Sequence, residues 1–246
     1  MIEKIEGIIV SERAYSETSK IISILTKEYG IISCIAKGSR TLKSDLRSVT
    51  DKMTYGLFHM HYKEGKLSTL VGVDVIDPLK EIKKDIVKIS YASFVLELAE
   101  QVMKQNQNEE IYQLLISTLK KINENFDPLV LTNILELKYL EYLGVMPIID
   151  ACSVCGRKTS IATLSSDRGG YVCNHCLTGE KIVSEKAIKL VRMFYYVDID
   201  KISTLEINES VKKEINTFLE NYYDRYTGLY LKSKIFLQNL NKAEFR

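Results

Sequence analysis

Four of the five cysteines in this 246-residue chain fall in two pairs, Cys152-Ser153-Val154-Cys155 and Cys173-Asn174-His175-Cys176. Each C-x2-C pair can curl two thiolates onto one side of a tight knuckle, and two knuckles complete a tetrahedron around one metal ion. The chemistry expected is a structural Zn2+, one per chain, on Cys152, Cys155, Cys173 and Cys176. Four thiolates leave no open position for water or substrate. Gly156 follows the first knuckle, where a residue without Cβ lets the backbone turn back. Leu177 holds the matching place after the second, which makes that half less regular. His175 is expected to point outward, and Arg157, Lys158 and Arg168 lie near enough in sequence to offset the negative charge of a tetrathiolate centre. Two disulfides or a redox pair are the competing readings. The start Met1-Ile2-Glu3-Lys4 has neither a basic n-region nor an apolar h-region, so an oxidising compartment is not expected. A redox C-x-x-C opens a helix after a strand and seldom comes twice.

Enzyme signatures are missing: no phosphate loop, no G-x-G-x-x-G, no H-E-x-x-H and no G-x-S-x-G. His59 and His61 share a strand face without a third ligand nearby, and Asp198 and Asp200 read as solvated loop acids. No catalytic residue is assigned, and a zinc-dependent hydrolase or nuclease is disfavoured by the closed site. The segment Lys37-Gly38-Ser39-Arg40-Thr41-Leu42-Lys43-Ser44-Asp45-Leu46-Arg47 is different. It spaces four cations three to four residues apart, with Asp45 as the only acid. Such a loop can track a phosphate backbone, its hydroxyls and N–H groups adding contacts that carry no sequence information. A solvated basic loop is the bland alternative. A second basic stretch follows Arg225. Tyr15, Tyr29, Tyr55 and Tyr62 are the aromatics available to stack bases. The formal net charge is +2, so composition alone does not announce a nucleic-acid binder.

These residues need elements to hold them. Ile2–Val10, Lys20–Thr26, Ile31–Ala36, Thr54–Tyr62 and Leu67–Val75 read as five short strands, with turns at Tyr29-Gly30 and Glu64-Gly65 and a longer polar loop over Lys37–Asp51. Five such strands suit a small closed barrel; an OB-fold leads and an SH3-like barrel is the rival. After Asp77-Pro78 the apolar period becomes helical. Leu79–Lys104 reads as two helices, followed by Glu109–Asn123 and by a helix that Asp127 caps, with Pro128 at its first position, running to Leu143 before Gly144. Ser184 caps another through Tyr196, and Glu209–Tyr223 and Thr227–Asn241 complete a bundle. The fold class expected is α+β: an OB-fold domain over 1–79, a helical bundle over 80–146 and 183–246, and a zinc-finger insertion over 147–182, with a hairpin turning at Gly169-Gly170. No apolar run is long enough to span a membrane, and Cys34 reads as a small buried hydrophobe.

The chain resembles the RecO family of bacterial recombination mediators. Glu6-Gly7-Ile8-Ile9-Val10 and Tyr15 through Thr26 look like that family's opening strands, and Gly30 through Arg40 like its third strand and basic loop. Leu140 through Pro147 ahead of Cys152, Gly169-Gly170-Tyr171-Val172-Cys173, and Leu231-Lys232-Ser233-Lys234-Ile235-Phe236-Leu237 match its approach to the zinc knuckle, the return and its last helix. The resemblance implies a non-enzymatic protein that binds single- and double-stranded DNA, anneals complementary strands, and works with RecR and the C-terminal tail of single-stranded DNA-binding protein (SSB) to load RecA. It carries DNA binding onto Lys37, Arg40, Lys43 and Arg47 of the loop and onto Lys232 and Lys234. A cytoplasmic, nucleoid-associated protein without a small-molecule substrate is implied. The alternative is a protein adaptor for SSB and RecR whose contact with DNA is weak and incidental.

Overall fold

The computed structural model describes residues 1–237, which form two compact units: 1–124 together with the C-terminal segment from Leu231, and 125–230. The first unit opens with five strands, β1 (Glu3–Ala14), β2 (Lys20–Thr26), β3 (Gly30–Ala36), β4 (Tyr55–His61) and β5 (Ser68–Asp77). They close into a barrel in the order β1-β2-β3-β5-β4. β1 pairs antiparallel with both β2 and β4, and the one parallel contact joins Cys34 and Ile35 of β3 to Ser68 and Thr69 of β5. This is the Greek-key order of an OB-fold, which settles the choice against an SH3-like barrel. Alternate residues point inward, so Ile5, Ile9, Ile22, Ile24, Ile32, Cys34, Phe58, Met60 and Leu70 fill the interior.

Two glycines face each other where β1 and β4 pair, Gly7 and Gly56. A Cβ on Gly7 would lie 2.6 Å from Ile24 Cγ2 and 2.8 Å from the Leu25 carbonyl oxygen; one on Gly56 would lie 2.7 Å from the Asp74 carbonyl oxygen. Each Cβ would thus meet the strand on the far side, β2 for Gly7 and β5 for Gly56, so residues without side chains are needed where β1 and β4 lie this close to those neighbours. β1 runs beyond the expected Val10 because a bulge between Ile9 and Ser11 shifts the register, after which Ser11 to Ala14 continue to pair with β2. β5 likewise extends to Asp77.

Three helices belong to the same unit: α1 (Lys80–Lys83), α2 (Ile86–Gln105) and α3 (Glu109–Asn123). Asp85 and Asn108 cap α2 and α3 by accepting from first-turn N–H groups. α2 packs on β1 and β3. Ile8, Val10 and Leu25, which lie outside the interior cluster, are buried as well. The Glu6 carboxylate accepts from Tyr55 Oη at 2.7 Å and from Tyr112 Oη of α3 at 3.1 Å, joining barrel and helix.

The second unit holds α4 (Pro128–Tyr142), α5 (Glu185–Tyr196) and α6 (Glu209–Tyr226), with the hairpin β6 (Ile161–Ser165) and β7 (Gly170–Cys173) between α4 and α5. Asp127 and Ser184 cap α4 and α5 as their sequence positions predict. α4 packs against both α5 and α6 and buries residues all round, as its lack of a polar stripe requires. The expected helix over Thr227–Asn241 is corrected. α6 itself reaches Tyr226, Gly228 at φ 62° breaks the path, and helical turns resume only at 232–237. Residues 238–241 of that expectation, with Lys242 and Arg246, lie outside the described residues.

Candidate nucleic-acid interface and metal centre

The loop between β3 and β4 is a chain of tight turns rather than a free coil. Thr41 N–H donates to Gly38, Ser44 N–H to Thr41 and Arg47 N–H to Ser44, each to the carbonyl oxygen three residues back. Three anchors fix it. Ser39, fully buried, donates to the Ala36 carbonyl oxygen at 2.9 Å; Thr50 donates to that of Leu46 at 2.7 Å; and Leu46 packs against the barrel core. The loop rejoins the barrel where Met53 and Thr54 exchange backbone hydrogen bonds with Ile9.

Between these anchors Lys37, Arg40, Lys43 and Arg47 are all exposed, and none makes an ion pair among the described residues. Arg40 is the most constrained. Its N–H donates to the Thr18 carbonyl oxygen at 2.9 Å and its guanidinium to that of Ser16 at 2.6 Å, which lays the loop over the β1–β2 turn. Exposed Arg13 and Tyr15 sit at the same end of the barrel, a grouping that depends on strand pairing and is invisible in the linear sequence. Lys20 does not join it: Glu12 at 3.0 Å and Asp51 at 2.7 Å take its charge. The loop hydroxyls expected to reach phosphates are engaged by the loop's own backbone: Ser39 and Thr41 each donate to a carbonyl oxygen, and Ser44 Oγ accepts from Leu46 N–H at 3.3 Å.

Lys232 and Lys234 open the helical turns at 232–237, in the same unit as the loop. Glu97 of α2 holds that opening. Its carboxylate accepts from Lys232 N–H at 3.0 Å, from Ser233 N–H at 2.8 Å and from the Ser233 hydroxyl. These are first-turn N–H groups that a helix cannot satisfy internally, and a carboxylate there also meets the positive end of the helix dipole. Burial alone would raise the Glu97 pKa, but the hydrogen bonds from Ser233 and Lys232 and the field of Lys52 outweigh it and bring the pKa below its ordinary value. No local motif marks Glu97, because its partners lie more than 130 residues away in sequence.

The four candidate tyrosines separate. Tyr15 is exposed at the loop end, whereas Tyr55 is buried and spent on Glu6. The expectation that Tyr55 could stack a base is therefore corrected; its ring lies under the Lys120 ammonium, 5.8 Å from its centre. Tyr29 and Tyr62 meet at the opposite end of the barrel, with ring centres 4.8 Å apart. His59 Nε2 lies 2.8 Å from the Asp74 carboxylate across β4 and β5.

In the second unit the side chains of Cys152, Cys155, Cys173 and Cys176 bring their sulfurs within 4.8 Å of one another, a set that can hold a metal ion. Cys155 Sγ and Cys173 Sγ are 3.7 Å apart, far beyond a disulfide bond of about 2.05 Å. A tetrahedron with metal–sulfur bonds of about 2.3 Å has sulfur–sulfur edges of about 3.8 Å, so the donor set fits such an ion. Gly156, at φ 73°, returns the first knuckle by donating to the Cys152 carbonyl oxygen at 2.8 Å. The second knuckle is a 3-10 turn over Asn174–Cys176. Burial raises the Cys152 pKa, yet backbone N–H groups of Cys173, Cys155 and Val154 outweigh it and bring the thiol to about 6. The hairpin is locked from behind by Gly170, where a Cβ would come within 2.2 Å of the Ile148 carbonyl oxygen. His175 is exposed and outside the sulfur cluster. Arg168 is engaged by Glu180 at 3.1 Å, while Arg157 and Lys158 remain exposed beside the first knuckle.

Comparison with known proteins covers nearly the whole chain. Residues 1–79 match the family model described as Recombination protein O N terminal, and residues 83–235 the one described as Recombination protein O C terminal. The chain is similar to the DNA repair protein RecO of Listeria monocytogenes serotype 4b (strain CLIP80459), 35% identical over 98% of this chain and 96% of that one. It is also similar to the proteins of the same name from Bacillus cereus (strain AH187) and Bacillus anthracis (strain CDC 684 / NRRL 3495), each 36% identical over 99% of this chain and all of theirs.

The lowered Glu97 pKa fixes the sign of a pH effect. Docking of the 232–237 segment is fully supported above the ordinary carboxyl value of about 4.3 and is lost as pH falls through the lower folded value. Amide hydrogen exchange is expected to show these residues protected at neutral pH and released on acidification. Glu97→Gln should leave them weakly protected at every pH, without the acid step.

Proposed function

Because the chain belongs to the RecO family, we propose that it is a DNA-binding recombination mediator that anneals complementary single strands and, with RecR and SSB, promotes the loading of RecA. The observation that supports this best is the anchored loop of four exposed, unpaired cations. Annealing requires no bond to be made or broken in the protein. It requires a surface that neutralises two phosphate backbones enough to bring strands together while leaving base edges free. Lys37, Lys43 and Arg47 supply charge that no acid of the described residues takes. Arg40 divides its donors between holding the loop and facing outward, and Lys232 and Lys234 add a second basic element fixed by Glu97. On this reading residues 1–79 are the nucleic-acid-binding domain, the helices of 80–146 and 183–246 carry partner surfaces such as one for the SSB tail, and 147–182 is a zinc finger. The protein is non-enzymatic and works in the cytoplasm, at the nucleoid.

The metal we assign to the four cysteines is a structural Zn2+. It supplies a rigid cross-link between the two knuckles, and the tetrathiolate set leaves no position for a reacting water.

Annealing of SSB-coated complementary strands tests the function. The quadruple variant of Lys37, Arg40, Lys43 and Arg47 to alanine should anneal at least tenfold more slowly than the unmodified protein. Equal rates would remove the loop from the mechanism. Unimpaired binding to an SSB-tail peptide, with negligible DNA binding by the unmodified protein at physiological salt, would favour a pure adaptor. For the metal, analysis should find one zinc per chain. Cys152→Ser should lose it together with cooperative unfolding of the second unit, whereas metal-free protein of unchanged Tm would contradict the assignment.

A further inference from the structure

We propose that Tyr29 and Tyr62 form a stacking site for an unpaired nucleobase, at the end of the barrel opposite the basic loop. The inference rests on the DNA-binding reading above and assigns that activity a second contact of different chemistry.

The site exists because the barrel is only partly laced between β3 and β5. Their ladder covers Cys34 and Ile35 alone, so Gly30 to Ser33 of β3 have no strand beside them on that side among the described residues. The β4–β5 turn folds back next to this gap and leaves an open cavity of about 590 Å3. Tyr29 and Tyr62 line it with rings 4.8 Å apart and inclined by 40°. Tyr29 is 38% exposed, so a ring remains available to a planar ligand. Thr26, fully buried, fixes the backbone that carries Tyr29 by accepting from Tyr29 N–H at 3.1 Å and donating to the Gly30 carbonyl oxygen at 2.8 Å. Gln107, from the segment between α2 and α3, also lines the cavity and brings both an amide donor and an acceptor.

These parts match a base rather than a phosphate. An aromatic pair offers a π-face, and the uncovered β3 edge and the Gln107 amide offer groups that complement a base edge. Charge does not select an anion here, because Lys63 and Lys66 on the rim are balanced by Glu28 and Glu64. Bases within a duplex are already stacked, so the site discriminates for single strands. From Gly30 to Ala36 the two ends of β3 are roughly 20 Å apart at the usual rise per residue. A single strand held by the basic loop at one end is thus offered a stacking platform at the other.

The two contacts predict different signatures. The double variant Tyr29→Ala/Tyr62→Ala should weaken binding of a short oligothymidine by about 5- to 100-fold, the range of base–aromatic stacking. Duplex affinity and the salt dependence should stay unchanged, and Tyr29→Phe/Tyr62→Phe should restore the loss. Because the chain has no tryptophan, Tyr62→Trp gives a single reporter whose fluorescence should be quenched by the oligonucleotide but not by duplex. Unchanged oligothymidine affinity in the alanine pair, or no quenching of Y62W at saturating oligonucleotide, overturns the site while leaving the loop reading intact if the loop variant still loses affinity. Absence of any DNA binding by the unmodified protein overturns both.

Discussion

Closure of the barrel between β1 and β4 is the constraint on which the positions of the candidate contacts depend. It requires β1 to pair on both sides, and Gly7 and Gly56 let β1 and β4 lie close against their other neighbours, β2 and β5, without collision. Once β1 and β4 are neighbours, β5 must lie between β4 and β3, and the chain leaving β3 must cross the end of the barrel to begin β4. The basic loop is that crossing. Its hydrogen bonds to Ile9 and to the β1–β2 turn follow from where closure places its two ends. The short parallel ladder of β3 and β5 is the other consequence, and it opens the gap beside Tyr29 and Tyr62.

Electrostatics then determine which cations remain available. The chain carries 34 basic and 32 acidic side chains, so any basic surface must come from placement rather than excess. Lys20, Lys212 and Arg225 are drawn into ion pairs with neighbouring carboxylates. The loop cations escape this because Asp45 is the only acid among them and the loop's own hydroxyls satisfy its backbone. Exposed ion pairs are worth little to stability, so the effect of those pairs here is to neutralise cations that would otherwise stand free at the surface.

Much of this was legible in the sequence wherever the signal is local. The C-x2-C spacing, the glycine turn at Gly30, the Asp127-Pro128 start and the Ser184 cap each depend on a few adjacent residues, and each appears where it was read. What failed depended on distant partners or on backbone geometry. Tyr55 looks available until Glu6 and Tyr112, the latter from α3, take its hydroxyl out of solvent. β1 seems to stop at Val10 because a bulge interrupts its alternation, and the last helix seems to begin at Thr227 because nothing in the apolar pattern marks the non-helical stretch 227–231 around Gly228. Glu97 had no signal at all, since an ordinary α2 glutamate acquires its role only through the fold.

Neutralisation of DNA phosphates by the Lys37–Arg47 loop, as proposed, is read out by the salt dependence of single-strand affinity. For single strands the slope of log K against log salt is about −0.7 per phosphate neutralised. Replacing all four loop cations by alanine should flatten the slope by about 2 to 3 and weaken binding at low salt. A variant that keeps both the slope and the affinity of the unmodified protein would mean that the loop does not contact the phosphates.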